Sequence, residues 1–170
     1  MTHVHDDHIG WTAFDGGRTL HFPNARYVIH RADWEWMAAS EDPEDVEIFT
    51  ELMKPIADLG ALQLSEDRLE ITGELTAIHA PGHTPGHQVV LLDSGGARGL
   101  LAGDTVNHPV QIAQPTVASG TDVDPELAVR TRTDLLDRAE REDRLLVTAH
   151  FPEPFGRITT QDGTRTFSPA

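Results

Sequence analysis

Residues 3 to 8 read His-Val-His-Asp-Asp-His, so His3, His5, Asp7 and His8 place four strong metal-ligand side chains within six residues. Side chains two apart on an extended backbone point the same way, so His3 and His5 can grip one ion. A turn would then carry Asp7 and His8 to a second ion. A His-rich tail would need no aspartate at a fixed place and no later partners. Later partners occur: His83 in Pro-Gly-His-Thr-Pro-Gly-His, Asp104 in Leu-Leu-Ala-Gly-Asp-Thr, and His150 in Thr-Ala-His-Phe-Pro. Each ends an apolar run that reads as a short strand, from which a fixed backbone can aim a ligand at a shared point. Five imidazoles and two carboxylates suit two divalent ions, zinc first. Without thiolates in the set, geometry and availability leave iron, manganese or nickel open.

The elements that must position these groups follow from periodicity and turn chemistry. Residues 25–30 read as a strand after the turn signal Pro23-Asn24, and 31–39 as a helix. Asp42-Pro43 caps and opens a helix running to about Leu59, with Val46, Phe49, Leu52, Met53 and Ile56 on one apolar face. Strands follow over 61–64, 68–72 and 75–80. Residues 88–93 and 99–102 pair across Ser94-Gly95-Gly96, which brings His83 and Asp104 to neighbouring strand ends. Asp124-Pro125 opens a helix through Arg144 with Leu127, Leu135, Leu136 and Ala139 inward, and 145–149 is the strand that delivers His150. Strands and helices interleave without a repeat or linker, as a layered α/β sandwich requires. The whole of 1–170 reads as one domain.

With these residues in this order, the chain resembles the metallo-β-lactamase-fold hydrolase superfamily, whose His-x-His-x-Asp-His motif, downstream His, bridging Asp and final His run from Thr2 to about Ile158. The phrases Asp-His-Ile-Gly-Trp and Ala-His-Phe-Pro look most like its lactonase and methyl parathion hydrolase-like branch. The resemblance implies an αββα sandwich with His3, His5 and His83 on one metal, Asp7, His8 and His150 on the other, and Asp104 bridging. It also implies hydrolysis of a small ester or lactone by a metal-bridged water or hydroxide, with Asp7 and Asp104 catalytic. The alternatives are a mononuclear iron oxygenase acting on a thiol or persulfide, and a non-catalytic metal-binding fragment. In family members the first motif follows a run of strands, whereas here it begins at residue 2. That predicts a domain lacking its amino-terminal half, with His3 and His5 on a terminus that metal itself would tie down, and with bare sheet edges that a second copy could cover.

The segment 105–123 carries Pro109, Pro115 and Gly120 without periodicity and starts beside Asp104, so it is expected to rim a substrate pocket. Asn107 and His108 are its candidate substrate contacts, joined by Trp11. Acyl-homoserine lactonases place a Tyr where Asn107 stands, which weakens that specificity. His87 and His79 are expected to support the site without binding metal, His21 and His30 to be surface or core residues, and Asp6 to face solvent or cap. The net charge of -15, from 13 basic and 28 acidic residues, disfavours nucleic acid as a partner. A small-molecule substrate, no membrane span and a cytoplasmic location complete the expectation, and the absence of cysteine leaves no disulfide framework.

Overall fold

The computed structural model describes residues 1–170. In chain order its elements are α1 (Asp6–Ile9), β1 (Ala13–Phe14), β2 (Thr19–Leu20), β3 (Tyr27–His30), α2 (Arg31–Ala39), α3 (Pro43–Ile48), α4 (Lys54–Asp58), β4 (Leu62–Ser65), β5 (Arg68–Glu70) and β6 (Leu75–His79). They continue with β7 (Gln88–Ser94), β8 (Ala97–Leu101), α5 (Val110–Ala113), α6 (Pro125–Arg141), β9 (Leu145–Val147), β10 (Phe155–Gln161) and β11 (Thr164–Pro169). No helix is long and apolar enough to cross a membrane.

Seven strands form one sheet in the order β11-β10-β9-β8-β7-β6-β5. All neighbours are antiparallel except β8 and β9, which are parallel and therefore need a crossover; α6 lies within it. Helix α6 starts at Asp124, whose side chain accepts from Leu127 N. It turns Leu135, Leu136 and Ala139 onto Val89, Leu91, Leu100, Ala102 and Leu146 of the sheet. Burial of each leucine there contributes roughly 2 kcal/mol. Leu127 is half-buried, while Ala128 and Arg132 take inward positions.

A second core gathers Val4, Ile9, Tyr27, Ile29, Met37, Met53 and Ile56 around the parallel pair β3–β4. The helix expected over 42–59 is divided: Phe49–Met53 form a wide π turn between α3 and α4. Pro55 sits in the first turn of α4 and has no N–H to give to the preceding turn, which accounts for the break. The expected apolar face is also divided, because Met53 and Ile56 are fully buried while Val46 is 45% exposed.

The start of the chain is held by hydrogen bonds to the strands as well as by whatever its metal-type side chains bind. The Met1 ammonium donates to Val28 O at 3.0 Å, Gln88 N donates to Thr2 O at 2.7 Å, and Gln88 Nε2 donates to Met1 O at 3.0 Å. Ser65 Oγ completes this seam by donating to Gln88 Oε1 at 2.7 Å. His3 is thereby fixed between the two cores.

Candidate metal centre

His3 and His5 leave this anchored extended segment on one side, and α1 then turns Asp7 and His8 back toward them. His83 lies on the turn between β6 and β7. Asp104 lies just past β8, at the same end of the sheet because β7 and β8 are antiparallel. His150 follows β9. These seven residues converge.

Ring nitrogens face each other closely: His3 Nε2 and His83 Nε2 each lie 3.1 Å from His5 Nδ1, and His8 Nε2 lies 3.4 Å from His150 Nε2. Asp104 stands between the two groups. Its Oδ1 is 3.1 Å from His8 Nε2, and its Oδ2 is 3.2 Å from His150 Nε2 and 3.5 Å from His83 Nε2. Asp7 Oδ2 reaches His8 Nε2 at 3.4 Å and His150 Nε2 at 3.6 Å. Donor atoms thus gather as His3, His5, His83 and as Asp7, His8, His150, each set within 4.8 Å, with His3, His8 and Asp104 bridging between them.

Proton placement argues for cations at this point. Asp122 Oδ1 lies 3.1 Å from His83 Nδ1, so the hydrogen-bond network assigns that nitrogen the proton. His83 Nε2 then presents a bare lone pair to another imidazole and to a carboxylate. Asp104, 4% exposed, has an Oδ1 without a directed hydrogen bond. Lone pairs aimed at one another in a buried place repel unless a cation lies among them, and nitrogen and carboxylate oxygen are the donors zinc takes.

Titration follows the same crowding. Burial drives the His3 imidazole far below its ordinary range, and the neighbouring rings of His87, His8, His83 and His5 add to that. Burial lowers His5 as well, with His83 beside it. Burial would also lower His8, but Asp104, Asp7 and Asp6 outweigh it and the net shift is upward. For Asp104, burial pulling upward is outweighed by His8, His83 and His150, and its carboxyl is held below the ordinary value.

Two supporting groups, Asp33 and Asp122, had no signal in spacing, whereas His87 and His79 were expected to support the site. Asp33, fully buried on α2, accepts from Thr84 Oγ1 at 2.9 Å and Gly86 N at 2.6 Å, clamping the turn that bears His83. Asp122 orients His83, as described. His87 accepts from Asp104 N at 3.0 Å through Nε2; burial pushes its pKa down to about 3, so it stays neutral and supports the backbone of Asp104. His79 Nε2 lies 2.8 Å from Pro85 O and its ring stacks on buried His30, whose Nδ1 accepts from Ala32 N at the start of α2. His21 is exposed.

Beside the centre opens a cleft of about 430 Å³ lined by His5, Asp6, Asp7, Asp104, Asn107, Ser119, Thr121 and His150. Asn107 Nδ2 donates to Asp104 Oδ2 at 3.1 Å. The two other expected substrate contacts are placed elsewhere. His108 is exposed and accepts from Val110 N, capping α5, and Trp11 is 72% exposed beside His21. Ser119 and Thr121 belong to the 105–123 segment expected at the rim but were not singled out in it, and Asp6, expected to face solvent or cap, lines the cleft and accepts from Asp7 N.

The metallo-beta-lactamase superfamily model matches residues 1–150, and the chain belongs to that superfamily. It is similar to the N-acyl homoserine lactonase AttM of Rhizobium radiobacter, with 32% identity over 93% of this chain and 59% of the relative. The N-acyl homoserine lactonase AttM of Azorhizobium caulinodans is 30% identical over 90% of this chain and 57% of its own length. Among solved structures, AidC, a dizinc quorum-quenching lactonase in complex with the product N-hexnoyl-L-homoserine, superposes with a TM-score of 0.87 at 22% identity, covering 99% of this chain and 62% of that one. The hydrolase AbOPH of the beta lactamase superfamily gives a TM-score of 0.87 at 24% identity, with the same coverage. These likenesses bear out the expected fold class. The chain spans 59% of the length of the first of these curated relatives.

Proposed function

We propose that this chain carries the binuclear centre of a metal-dependent hydrolase acting on a small neutral ester or lactone. The observation that carries the reading is the convergence of two donor groups on one buried carboxylate, Asp104. His3, His5 and His83 would hold one ion, Asp7, His8 and His150 the other, and Asp104 would touch both. When bound, two divalent ions, zinc by this donor set and by the dizinc neighbour, supply a Lewis acid for the carbonyl and a water acidified toward a pKa of roughly 7.

The chain's own residues supply the rest. Asp7 is half exposed at the cleft, with Oδ2 pointing at His8 and His150, so its carboxylate can take a proton from an attacking water and pass it to solvent. Asn107 lines the cleft and fixes Asp104 through one amide hydrogen. Ser119 and Thr121 add hydroxyls to the lining. With no hydrophobic residue among its lining and three carboxylates in it, the cleft grips the polar end of a substrate and repels anions. An acyl-homoserine lactone, the substrate class named for the relatives, presents such a neutral amide and ester.

The deciding experiment is Asp104→Ala in the 170-residue chain, with zinc counted by mass spectrometry and lactone opening followed by acid release. Two zinc ions per wild-type chain and loss of both loading and turnover in the variant are expected. Retained hydrolysis in the variant, or one iron with oxygen uptake in the wild type, refutes the reading.

A further inference from the structure

Arg132 of α6 is 0% exposed, and each nitrogen of its guanidinium is hydrogen-bonded inside the chain. Its Nε donates to Thr105 O at 2.7 Å, its Nη1 to Pro115 O and Val117 O at 2.9 Å each, and its Nη2 to Asp122 Oδ2 at 3.2 Å. Asp122 turns its other oxygen to His83 Nδ1 and also accepts from Ser119 N at 2.9 Å. One guanidinium therefore joins three backbone points of the 105–123 segment to the carboxylate that orients a centre imidazole. The same segment sends Asn107, Ser119 and Thr121 into the cleft. Its far end is laced to the His83 turn directly, through Val123 N to His83 O at 3.1 Å and Asp124 N to Gly82 O at 2.9 Å.

We propose that Arg132 and Asp122 are positioning residues that couple the cleft wall to the metal centre, so that filling the centre through His83 orders residues 115–123, and a polar ligand held by that wall tightens metal binding. The inference rests on the reading of His83 as a metal ligand. Asp122 keeps the proton on His83 Nδ1 and so keeps the Nε2 lone pair toward the ion; carboxylate partners of this kind set ligand orientation and basicity. The planar fork of Arg132 meets four oxygens in fixed directions, which a lysine ammonium on a flexible stem cannot do. Coupling in binding is reciprocal by thermodynamic necessity, so a wall ordered by metal must return the effect to metal affinity. A buried ion pair that served stability alone would lower the unfolding free energy when broken, without making the order of the wall depend on metal.

The test uses the 170-residue chain as wild type, Asp122→Asn, Arg132→Lys and, as a control far from the cleft, Arg144→Lys. Zinc affinity is read by chelator competition, and amide hydrogen exchange over 115–123 is read with and without zinc. Zinc should slow exchange there in the wild type and in Arg144→Lys. Asp122→Asn should bind zinc about 10–100-fold more weakly and lose the zinc-dependent slowing. Arg132→Lys should lose the slowing with a smaller loss of affinity, and if it does not fold, the isosteric Asp122→Asn decides alone. Unchanged affinity and unchanged zinc-dependent slowing in a folded Asp122→Asn overturn the coupling while leaving the metal centre intact. A wild-type chain that takes up no zinc overturns the centre, and the coupling with it.

Discussion

Asp33 clamps the turn that carries His83 without reaching the candidate metal centre. It is fully buried, and its carboxylate holds Thr84 and Gly86, which follow His83 in its turn and flank Pro85. Burial pushes its pKa from 3.8 up to about 6, against the opposing pull of the Gly86 and Thr84 donors. A carboxyl with a folded pKa above its unfolded one gives stability that is fully present below about pH 3.8 and is lost as pH rises through about 6. In zinc-free protein the stability advantage of wild type over Asp33→Asn should therefore shrink between pH 4 and pH 7, by about 3 kcal/mol at most. Denaturant unfolding at the two pH values measures it, and an advantage that stays flat or grows with pH contradicts the assignment. The contrast with the centre itself shows what a sequence discloses at this scale. His3, His5, Asp7 and His8 declare themselves by type and spacing, and His83, Asp104 and His150 by standing at strand ends. Asp33 in Arg-Ala-Asp-Trp looks like any helix acid, because its partners are 51 and 53 residues away, and Asp122 is 39 residues from the imidazole it orients. Trp11 and His108 stand outside the lining of the cleft, since nearness along the chain to a ligand does not set the direction of a side chain.

The elements that aim the centre do so through glycines with no room for a side chain. Gly82 has φ +132°, and a Cβ there would lie 2.3 Å from Ala128 N of α6. Gly103 has φ +51°, and a Cβ there would lie 2.7 Å from His87 Nε2, the atom that receives Asp104 N. Gly95, in the β7–β8 turn, has a similar φ of +56° but open space around it. Alanine at Gly95 should cost about 1–2 kcal/mol, the left-handed penalty alone, and leave zinc uptake unchanged. Alanine at Gly82 or Gly103 adds an overlap with a packed neighbour and should cost more, with reduced zinc uptake in whatever folds. Equal losses for all three variants in thermal unfolding and metal content would show that the close contacts do not matter. The β7–β8 hairpin and α6 were legible because Ser-Gly-Gly and Asp-Pro act locally. The β10–β11 hairpin carries an equally local signal, Asp162-Gly163 with both residues at positive φ, yet the strand pattern left it out, as it did the short β1–β2 pair. The π turn at Phe49–Met53 could have been suspected from Pro55, whereas the exposure of Val46 depends on which turn of the helix meets the second core.

At the scale of the whole chain the centre joins two separately packed cores. His3, His5, Asp7 and His8 flank Val4 and Ile9 of the core around β3–β4, while His83, Asp104 and His150 extend from the seven-stranded sheet that packs on α6. Donor atoms from both cores crowd at this seam, and a cation seated among them would tie the cores together, so metal binding should appear as folding stability. Free zinc at 100 times its dissociation constant would add about 2.7 kcal/mol per site. For a chain of this size that raises the melting temperature by roughly 5–10 °C, and excess chelator should reverse it. The acidic surface supplies a competing explanation, because with a net charge of -15 any divalent ion relieves self-repulsion. Magnesium separates the two: it prefers oxygen ligands in octahedral geometry and has little use for five imidazoles. Magnesium at matched ionic strength should therefore leave the melting temperature nearly where it was, and zinc should do the same for Asp104→Ala. Equal stabilisation by both ions would mean that the seam is held by charge screening, with no ion seated between the cores.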